Sequence, residues 1–195
     1  MRLLVTGGCG FIGSNFIRLI LREHPEGGVL NLDKLTYAGD PLNLRDVGRE
    51  PRYLFLQGVI RDPFDVEEAF SWRAEAVVNL SAETHVDRSI ISPEDFVRTD
   101  VLGTFRLLER VRESGARMLH ISTDEVYGSI EEGSFSEESP LRPNSPYAAS
   151  KAGADLLVRS YVRTYGIDAV IARSSNNFGP YQYPEKVIPL FVTNI

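Results

Sequence analysis

Short apolar runs alternate with segments of helical periodicity along the whole chain. The apolar runs predict six strands, at residues 3–5, 29–33, 53–56, 76–80, 117–121 and 167–172. The first, Leu3-Leu4-Val5, is unbroken, which is typical of a strand buried on both faces of a parallel sheet. Strands that alternate with helices indicate repeated β-α-β units. The pattern therefore predicts an α/β fold built on a doubly wound parallel sheet.

Helical spacing and helix-terminating residues predict the segments between the strands. Ile12, Phe16 and Ile20 recur at every fourth position after the first strand, so a helix is expected there until Pro25. Prolines at first helical positions predict three further helices, at residues 63–72, 93–113 and 146–165. Residues 34–52 and 131–144 are polar and rich in turn formers, which predicts loops, with one short helix near 41–46.

The composition of the chain argues against some classes of binding partner. The chain has 195 residues and a net charge of −6 without a basic stripe, which argues against a nucleic-acid-binding surface. No apolar run reaches the roughly 18–20 residues of a membrane span, and the N-terminus does not resemble a secretion signal. The single cysteine, Cys9, excludes an internal disulfide and fits a reducing compartment. We therefore expect a cytoplasmic protein with neither nucleic-acid nor membrane partners.

The residues that usually bind metals are few and scattered. His24, His85 and His120 share no metal-ligand spacing, and one cysteine cannot complete a common zinc site. We therefore expect no metal.

A glycine-rich turn joins the first strand to the first helix. Gly7, Gly10 and Gly13 form a G-x-x-G-x-x-G pattern, which permits a tight turn and close approach of the backbone to a pyrophosphate. The helix N-terminus then offers free N–H groups to the phosphates. Asp33 ends the second strand, where a carboxylate accepts hydrogen bonds from a ribose and repels a 2′-phosphate. These features predict a Rossmann-type domain that binds NAD rather than NADP.

Two residues of this predicted NAD-binding region have alternative interpretations. Asp33 is also suited to capping a turn, which would be a purely structural role. Cys9 is interpreted as a small filler of the turn, with a redox role as the alternative.

A second group of reactive residues follows the fifth strand. Thr123 is followed by the adjacent acids Asp124 and Glu125, and Tyr147 and Lys151 lie four positions apart on a predicted helix. Side chains at that spacing share a helix face, and a nearby ammonium would lower the pKa of the tyrosine and make it a usable base. The alternatives are a solvated pair of acids and a surface tyrosine beside a surface lysine.

The glycine turn together with the Tyr-x-x-x-Lys pair resembles the extended short-chain dehydrogenase/reductase family. Residues 33–39, 81–90, 122–128 and 174–186 further resemble the dTDP-glucose 4,6-dehydratases of that family. Sugar-nucleotide epimerases and decarboxylases share the glycine turn and the Tyr-x-x-x-Lys pair but typically lack an acid pair after the threonine.

The resemblance implies a complete reaction, the conversion of dTDP-glucose to dTDP-4-keto-6-deoxyglucose in deoxysugar biosynthesis. Tyr147 would take the C4 hydroxyl proton while hydride passes from C4 to NAD⁺, and Thr123 would hydrogen-bond the C4 oxygen. Glu125 would remove the C5 proton and protonated Asp124 would donate to the departing C6 hydroxyl, after which hydride returns to C6. A protonated acid beside an ionised one requires environments that separate their pKa values.

The resemblance also implies the ligand contacts. Cofactor-binding residues would be Gly7, Gly10, Phe11, Ile12, Gly13, Asp33, Lys34, Leu35, Thr36, Val59, Ile60, Leu80, Ser81, Ala82, Glu83, Thr84, Thr99, Tyr147, Lys151 and Phe178. Substrate-binding residues would be Thr84, Thr123, Asn177, Val187 and Ile188. Val59 departs from the family pattern, in which an aspartate hydrogen-bonds adenine.

Domain organisation and assembly follow from the same resemblance. Residues 1–175 are expected to form the NAD-binding domain with the catalytic residues, and 176–195 to begin a truncated substrate-binding domain. Relatives pair through two helices per subunit, for which 93–113 and 146–165 are the candidates, so a homodimer is expected. The alternatives are a sugar-nucleotide 4-epimerase or decarboxylase, and a non-catalytic NAD-binding fragment.

Overall fold

The core of the molecule is a single six-stranded sheet, described by a computed structural model that covers residues 1–195. All neighbouring strands pair in parallel, in the order β3-β2-β1-β4-β5-β6. The strands are β1 Arg2–Thr6, β2 Gly28–Asp33, β3 Tyr53–Gln57, β4 Ala76–Asn79, β5 Arg117–Thr123 and β6 Ala169–Ser174. This order is that of the doubly wound Rossmann fold, so the predicted fold class is confirmed.

Helices cover both faces of the sheet. They are α1 Phe11–Glu23, α2 Pro63–Ser71, α3 Val86–Ile91, α4 Pro93–Phe96, α5 Thr104–Ser114, α6 Pro146–Tyr165 and α7 Val187–Thr193. A π-helical segment, Val97–Gly103, joins α4 to α5, and 3₁₀ turns occupy Pro41–Leu44 and Asp124–Tyr127. No helix combines the length and the hydropathy that crossing a bilayer requires.

Two hydrophobic clusters hold these layers together. The larger, of 16 buried residues, includes Leu4, Val77 and Met118 of the sheet and Leu107 and Val158 of α5 and α6. The smaller, of 8 buried residues, lies on the opposite face, where α1 packs on the sheet. Burying apolar surface on both faces explains why the central residues of β1, Leu3-Leu4-Val5, are all apolar.

The structure departs from the predicted elements in several places. The helix predicted over 93–113 is interrupted by the π-helical segment, and the short helices α3 and α7 were not predicted. Strand β5 continues to Thr123 because Ser122 and Thr123 pair with Arg173 and Ser174 of β6. That extension carries Thr123 to the carboxyl edge of the sheet, where ligands bind in folds of this type.

Candidate active site

One cavity of about 620 Å³ lies at the carboxyl edge of the sheet. The glycine turn after β1, the segment after β4, the end of β5 and the start of α6 form its walls. The segment after β6 borders its mouth: the Lys186 ammonium donates to Thr84 O at 3.2 Å, and the Tyr37 hydroxyl donates to Glu185 at 3.0 Å. A cleft at this edge of an open parallel sheet is where such folds bind dinucleotides.

Glycine occupies the three positions of the turn for different structural reasons. Gly7 has a φ of +71°, and a Cβ there would lie 2.8 Å from Ser81 N. A Cβ on Gly13 would lie 2.3 Å from Gly7 O, so helix and strand approach too closely for a side chain. At Gly10 a Cβ would make only an ordinary 3.5 Å contact. Packing therefore requires glycine at 7 and 13, whereas glycine at 10 keeps the start of α1 open to the cavity.

Asp33 lies at the cavity wall and also organises the turn. Its carboxylate accepts from the N–H groups of Cys9, at 2.8 Å, and Leu35, at 2.9 Å. Burial raises the pKa of Asp33, and the two N–H donors partly offset that effect. The capping role is therefore present in the structure. It leaves the ribose role open, because each carboxylate oxygen has a second lone pair.

Cys9 is fully buried beneath the glycine turn. Its Sγ accepts from Asn31 Nδ2 at 3.3 Å. Burial and the nearby Asp33 carboxylate raise the pKa of the thiol to about 12. A protonated, inaccessible thiol is a poor nucleophile, which favours the filler interpretation over a redox role.

The cavity fits a dinucleotide. Gly10 begins α1 without a side-chain cap, so the first-turn N–H groups have no side-chain acceptor. Thr99 also lines the cavity, and its Oγ1 is buried without a partner. A buried hydroxyl in that state is normally satisfied by water or a ligand. The residues present therefore suit a pyrophosphate at one end and a polar ligand group at Thr99.

Thr123 and the two acids form the turn that ends β5. Thr123 Oγ1 accepts from Glu125 N at 3.2 Å and donates to Asp124 at 3.3 Å. Glu125 lies on the cavity wall, and its pKa is raised by burial and by Asp124, against the effect of Lys186. Asp124 is half-buried and faces Thr123 rather than the cavity.

Tyr147 and Lys151 share the inward face of α6 and both line the cavity. The expected lowering of the tyrosine pKa is wrong. Burial and the carboxylates of Glu125, Asp100 and Asp124 raise the pKa of Tyr147. Lys151 is fully buried, donates to Ile121 O at 2.7 Å, and has its own pKa lowered by burial.

A buried polar network lies behind Lys151. Asn79 is 3.1 Å from His120 Nδ1, and His120 Nε2 faces Asp155 at 3.7 Å. Burial and the Lys151 ammonium lower the pKa of His120 well below its usual value, so the ring is neutral. Asp155 also accepts from Arg173 Nε at 2.7 Å. This network spans three neighbouring strands, β4, β5 and β6, and α6.

The structure brings most of the predicted site residues to one cavity. All five predicted substrate-binding residues and all predicted cofactor-binding residues except Leu35 line it. The Leu35 side chain instead packs against the smaller hydrophobic cluster. Asp124 is the predicted catalytic residue that is absent from the wall, because the 3₁₀ turn directs it towards Thr123.

Sequence reasoning missed residues that the cavity includes or that lie next to it. Ser122, Tyr183, Glu185 and Lys186 line the cavity, and Asp100 is buried against α6. Asp100 had one signal in the sequence, an aspartate in the interior of a predicted helix, where this residue type is unfavourable.

Comparison with known proteins agrees with the family resemblance that the sequence motifs predict. Residues 4–195 match the family described as GDP-mannose 4,6 dehydratase. A dTDP-glucose 4,6-dehydratase of Streptomyces niveus is 54% identical over 100% of this chain and 59% of its own length. The crystal structure of DesIV, a dTDP-glucose 4,6-dehydratase of Streptomyces venezuelae with NAD and TYD bound, is 54% identical, with a TM-score of 0.95, over 100% of this chain and 62% of that one.

An epimerase of the same fold is less similar. The UDP-glucose 4-epimerase of Thermotoga maritima is 30% identical, with a TM-score of 0.86, over 95% of this chain and 59% of that one. This chain therefore spans about three fifths of the length of the relatives that it matches. The predicted resemblance is confirmed, and the match over almost every residue shows that the chain belongs to the GDP-mannose 4,6 dehydratase family.

Proposed function

We propose that this protein removes water from dTDP-glucose with NAD as cofactor, producing dTDP-4-keto-6-deoxyglucose. One observation carries the proposal: Thr123 and Glu125 share a single cavity with Tyr147, Lys151 and the glycine turn. A second carboxylate, Asp124, adjoins them. Elimination across C5 and C6 needs a base and an acid in addition to the group that handles the C4 oxygen.

The residues of the chain take separate proton-handling roles in this proposal. NAD, when bound, supplies the oxidant for C4 and returns the same two electrons to C6. Tyr147 accepts the C4 hydroxyl proton, and Lys151 favours the phenolate that does so. Thr123 hydrogen-bonds the C4 oxygen.

The two acids then carry the elimination. Glu125 removes the proton from C5, which the adjacent C4 ketone has made acidic, and the C6–O bond breaks as Asp124 donates a proton to the leaving hydroxyl. Glu125 gives its proton back to C5 when C6 receives the hydride. The raised pKa of Glu125 suits a base that must operate near neutral pH. The Asp124 carboxylate accepts from the Thr123 hydroxyl at 3.3 Å, so its proposed role requires the carboxyl to turn towards the substrate.

The test is to incubate the protein with dTDP-glucose and NAD⁺ and to identify products by mass spectrometry. The expected product has lost one water. A product of unchanged mass with inverted C4 would indicate the 4-epimerase alternative. Binding of NAD without any turnover would indicate the non-catalytic alternative.

Replacing Gly10 with alanine is expected to weaken NAD binding without unfolding the protein. A Cβ there makes only a 3.5 Å contact within the protein but projects towards the start of α1, where phosphates would bind. We expect at least about a tenfold loss of affinity, roughly 1.4 kcal/mol, by titration calorimetry. The matched variant Gly13→Ala, with its Cβ 2.3 Å from Gly7 O, should lose stability instead. Unchanged NAD affinity in Gly10→Ala would contradict the assigned pyrophosphate position.

We also propose that the protein forms a homodimer, with the predicted helical segments 93–113 and 146–165 at its interface. Val97 and Leu102 of the π-helical segment and Leu156 and Val162 of α6 are exposed apolar side chains, between 38% and 55% accessible. Exposed apolar surface concentrated on neighbouring helices is typical of an interface. Light scattering should give twice the monomer mass, and Leu156→Asp should reduce it, whereas Leu19→Asp on the distant α1 should not.

Two further proposals concern the domain organisation of the chain and the location of the protein. Residues 1–175 are proposed as the cofactor-binding domain, because β6 ends at Ser174, and 176–195 as the start of the substrate-binding part. A cytoplasmic location is proposed from the single buried cysteine; fractionation of cells that express the protein tests it.

A further inference from the structure

The hydroxyl of Ser150 has more short contacts than it has protons. Its Oγ lies 2.7 Å from Asp100 Oδ2 and 2.7 Å from the main-chain oxygen of Tyr147. A carbonyl and an ionised carboxylate only accept hydrogen bonds, and a serine hydroxyl has one hydrogen to donate. If Asp100 were ionised, one of the two contacts would join two acceptors without a proton between them.

A proton on Asp100 satisfies every atom of this group. Asp100 Oδ1 accepts from Glu83 N at 3.2 Å, which leaves Oδ2 to face Ser150. With Oδ2 protonated, it donates to Ser150 Oγ, and Ser150 donates in turn to the Tyr147 carbonyl. Asp100 is only 1% exposed, so no bulk water is available to supply the missing proton instead.

We propose that Asp100 is a positioning residue that binds and releases a proton, and that its charge state controls the protonation of Lys151 and Tyr147 on the neighbouring helix. Its catalytic consequence rests on the proposed function; the proton itself does not. The π-helical turn places Asp100 against α6, and such turns are frequent at functional sites.

The surrounding charges support this assignment. Burial raises the pKa of Asp100 to about 6, although Lys151 and the Ser150 hydrogen bond act in the opposite direction. Conversely, the Asp100 carboxylate raises the pKa of both Tyr147 and Lys151. Loss of the Asp100 proton therefore favours the charged lysine and disfavours the phenolate.

The other elements that surround Asp100 bring few charged groups near it. Glu83, from the segment after β4, raises the pKa of Asp100. Asp95 of α4 acts on Glu83, and Arg106 of α5 lies over the Phe105 ring. Lys151 on α6 is thus the main cation for Asp100.

The variant Asp100→Asn is a matched probe because an amide reproduces the protonated acid. Its oxygen can accept from Glu83 N, and its NH₂ can donate to Ser150, but it cannot ionise. The first measurement is carboxyl ¹³C NMR of the ligand-free protein, in which Asp100 is the signal missing from the variant. We expect that signal to titrate near pH 6; an ordinary midpoint, about 3.9, would overturn the proposal.

The second measurement follows Lys151, one of only three lysines in the chain. Its side-chain NMR signal, assigned with Lys151→Met, should titrate at lower pH in Asp100→Asn than in the unsubstituted protein. Equal midpoints would overturn the proposed coupling. Both measurements need neither NAD nor substrate, so they remain decisive if the proposed dehydration fails.

A third measurement compares the pH dependence of turnover in Asp100→Asn and in the unsubstituted protein. The activity of Asp100→Asn relative to the unsubstituted protein should rise between pH 5 and 8, because only the latter gains a carboxylate that raises the pKa of Tyr147. A purely structural role predicts a ratio that is constant with pH, and that result would overturn the catalytic part of the proposal.

Discussion

Glu125→Gln is expected to lower turnover of dTDP-glucose by about 10²- to 10⁴-fold, the usual contribution of a positioned general base. Glutamine has nearly the same shape but cannot take the C5 proton. The turn should survive, because Thr123 caps it through the backbone N–H of residue 125 and not through the side chain. The measurement is kcat for release of the dehydrated product, with thermal unfolding as a check on the fold.

The control for this substitution is Glu132→Gln, which removes an exposed loop carboxylate of the same chain. It should leave kcat unchanged. Asp124→Asn should also slow elimination if the carboxyl turns to the substrate as proposed. Wild-type turnover in Glu125→Gln would remove the main reason for preferring a dehydratase to an epimerase.

Asp155→Ala is expected to destabilise the protein by about 3–5 kcal/mol, the cost of leaving one member of a buried ion pair without its partner. Asp155 is completely buried and accepts from Arg173 Nε at 2.7 Å, while Arg173 also donates to the Tyr127 hydroxyl at 2.7 Å. Removal of the carboxylate leaves a guanidinium that is only 12% exposed. Urea unfolding of the ligand-free protein measures the effect.

An exposed ion pair provides the matched control. Asp168 lies 3.3 Å from Arg117, but the two side chains are 72% and 78% exposed. Asp168→Ala should therefore cost less than about 1 kcal/mol. Replacing both members of the buried pair, as Asp155→Leu with Arg173→Met, should recover much of the loss, because no unpaired charge remains. A loss in Asp155→Ala no larger than that in Asp168→Ala would show that the buried pair contributes little.

Local signals explain which elements were predictable. Helix α6 was predicted with its observed bounds because its ends are encoded in adjacent residues. Ser145 caps Ala148 N at 3.0 Å, Pro146 occupies the first turn, and Gly166 ends the helix with a φ of +69°. In contrast, the helix predicted over 93–113 is broken by a π-helical segment, which contacts α6 through Asp100 and Ser150 and which no local pattern indicated.

The residues of the candidate site also fall into those that were predictable from the sequence and those that were not. The glycine turn, Asp33, the acid pair and Tyr147 with Lys151 were recognisable because each depends on residue type and spacing within a short segment. The direction of the Tyr147 pKa shift was predicted wrongly, since it depends on burial and on Glu125, Asp100 and Asp124 together. Asp100 lies 50 residues from Ser150 in the chain, so their contact could not be inferred from spacing.

The sequence by itself therefore determined the six strands and the main helices between them, the phosphate-binding turn and the identity of the reactive side chains, because these arise from hydrophobic periodicity and short-range backbone requirements. Only the tertiary structure decided which of those side chains face one cavity. It also decided that Asp124 faces Thr123, and that Ser150 Oγ lies within 2.7 Å of both Asp100 and the Tyr147 carbonyl. Burial and electrostatic interactions act across the fold between residues distant in sequence, and no local pattern contains them.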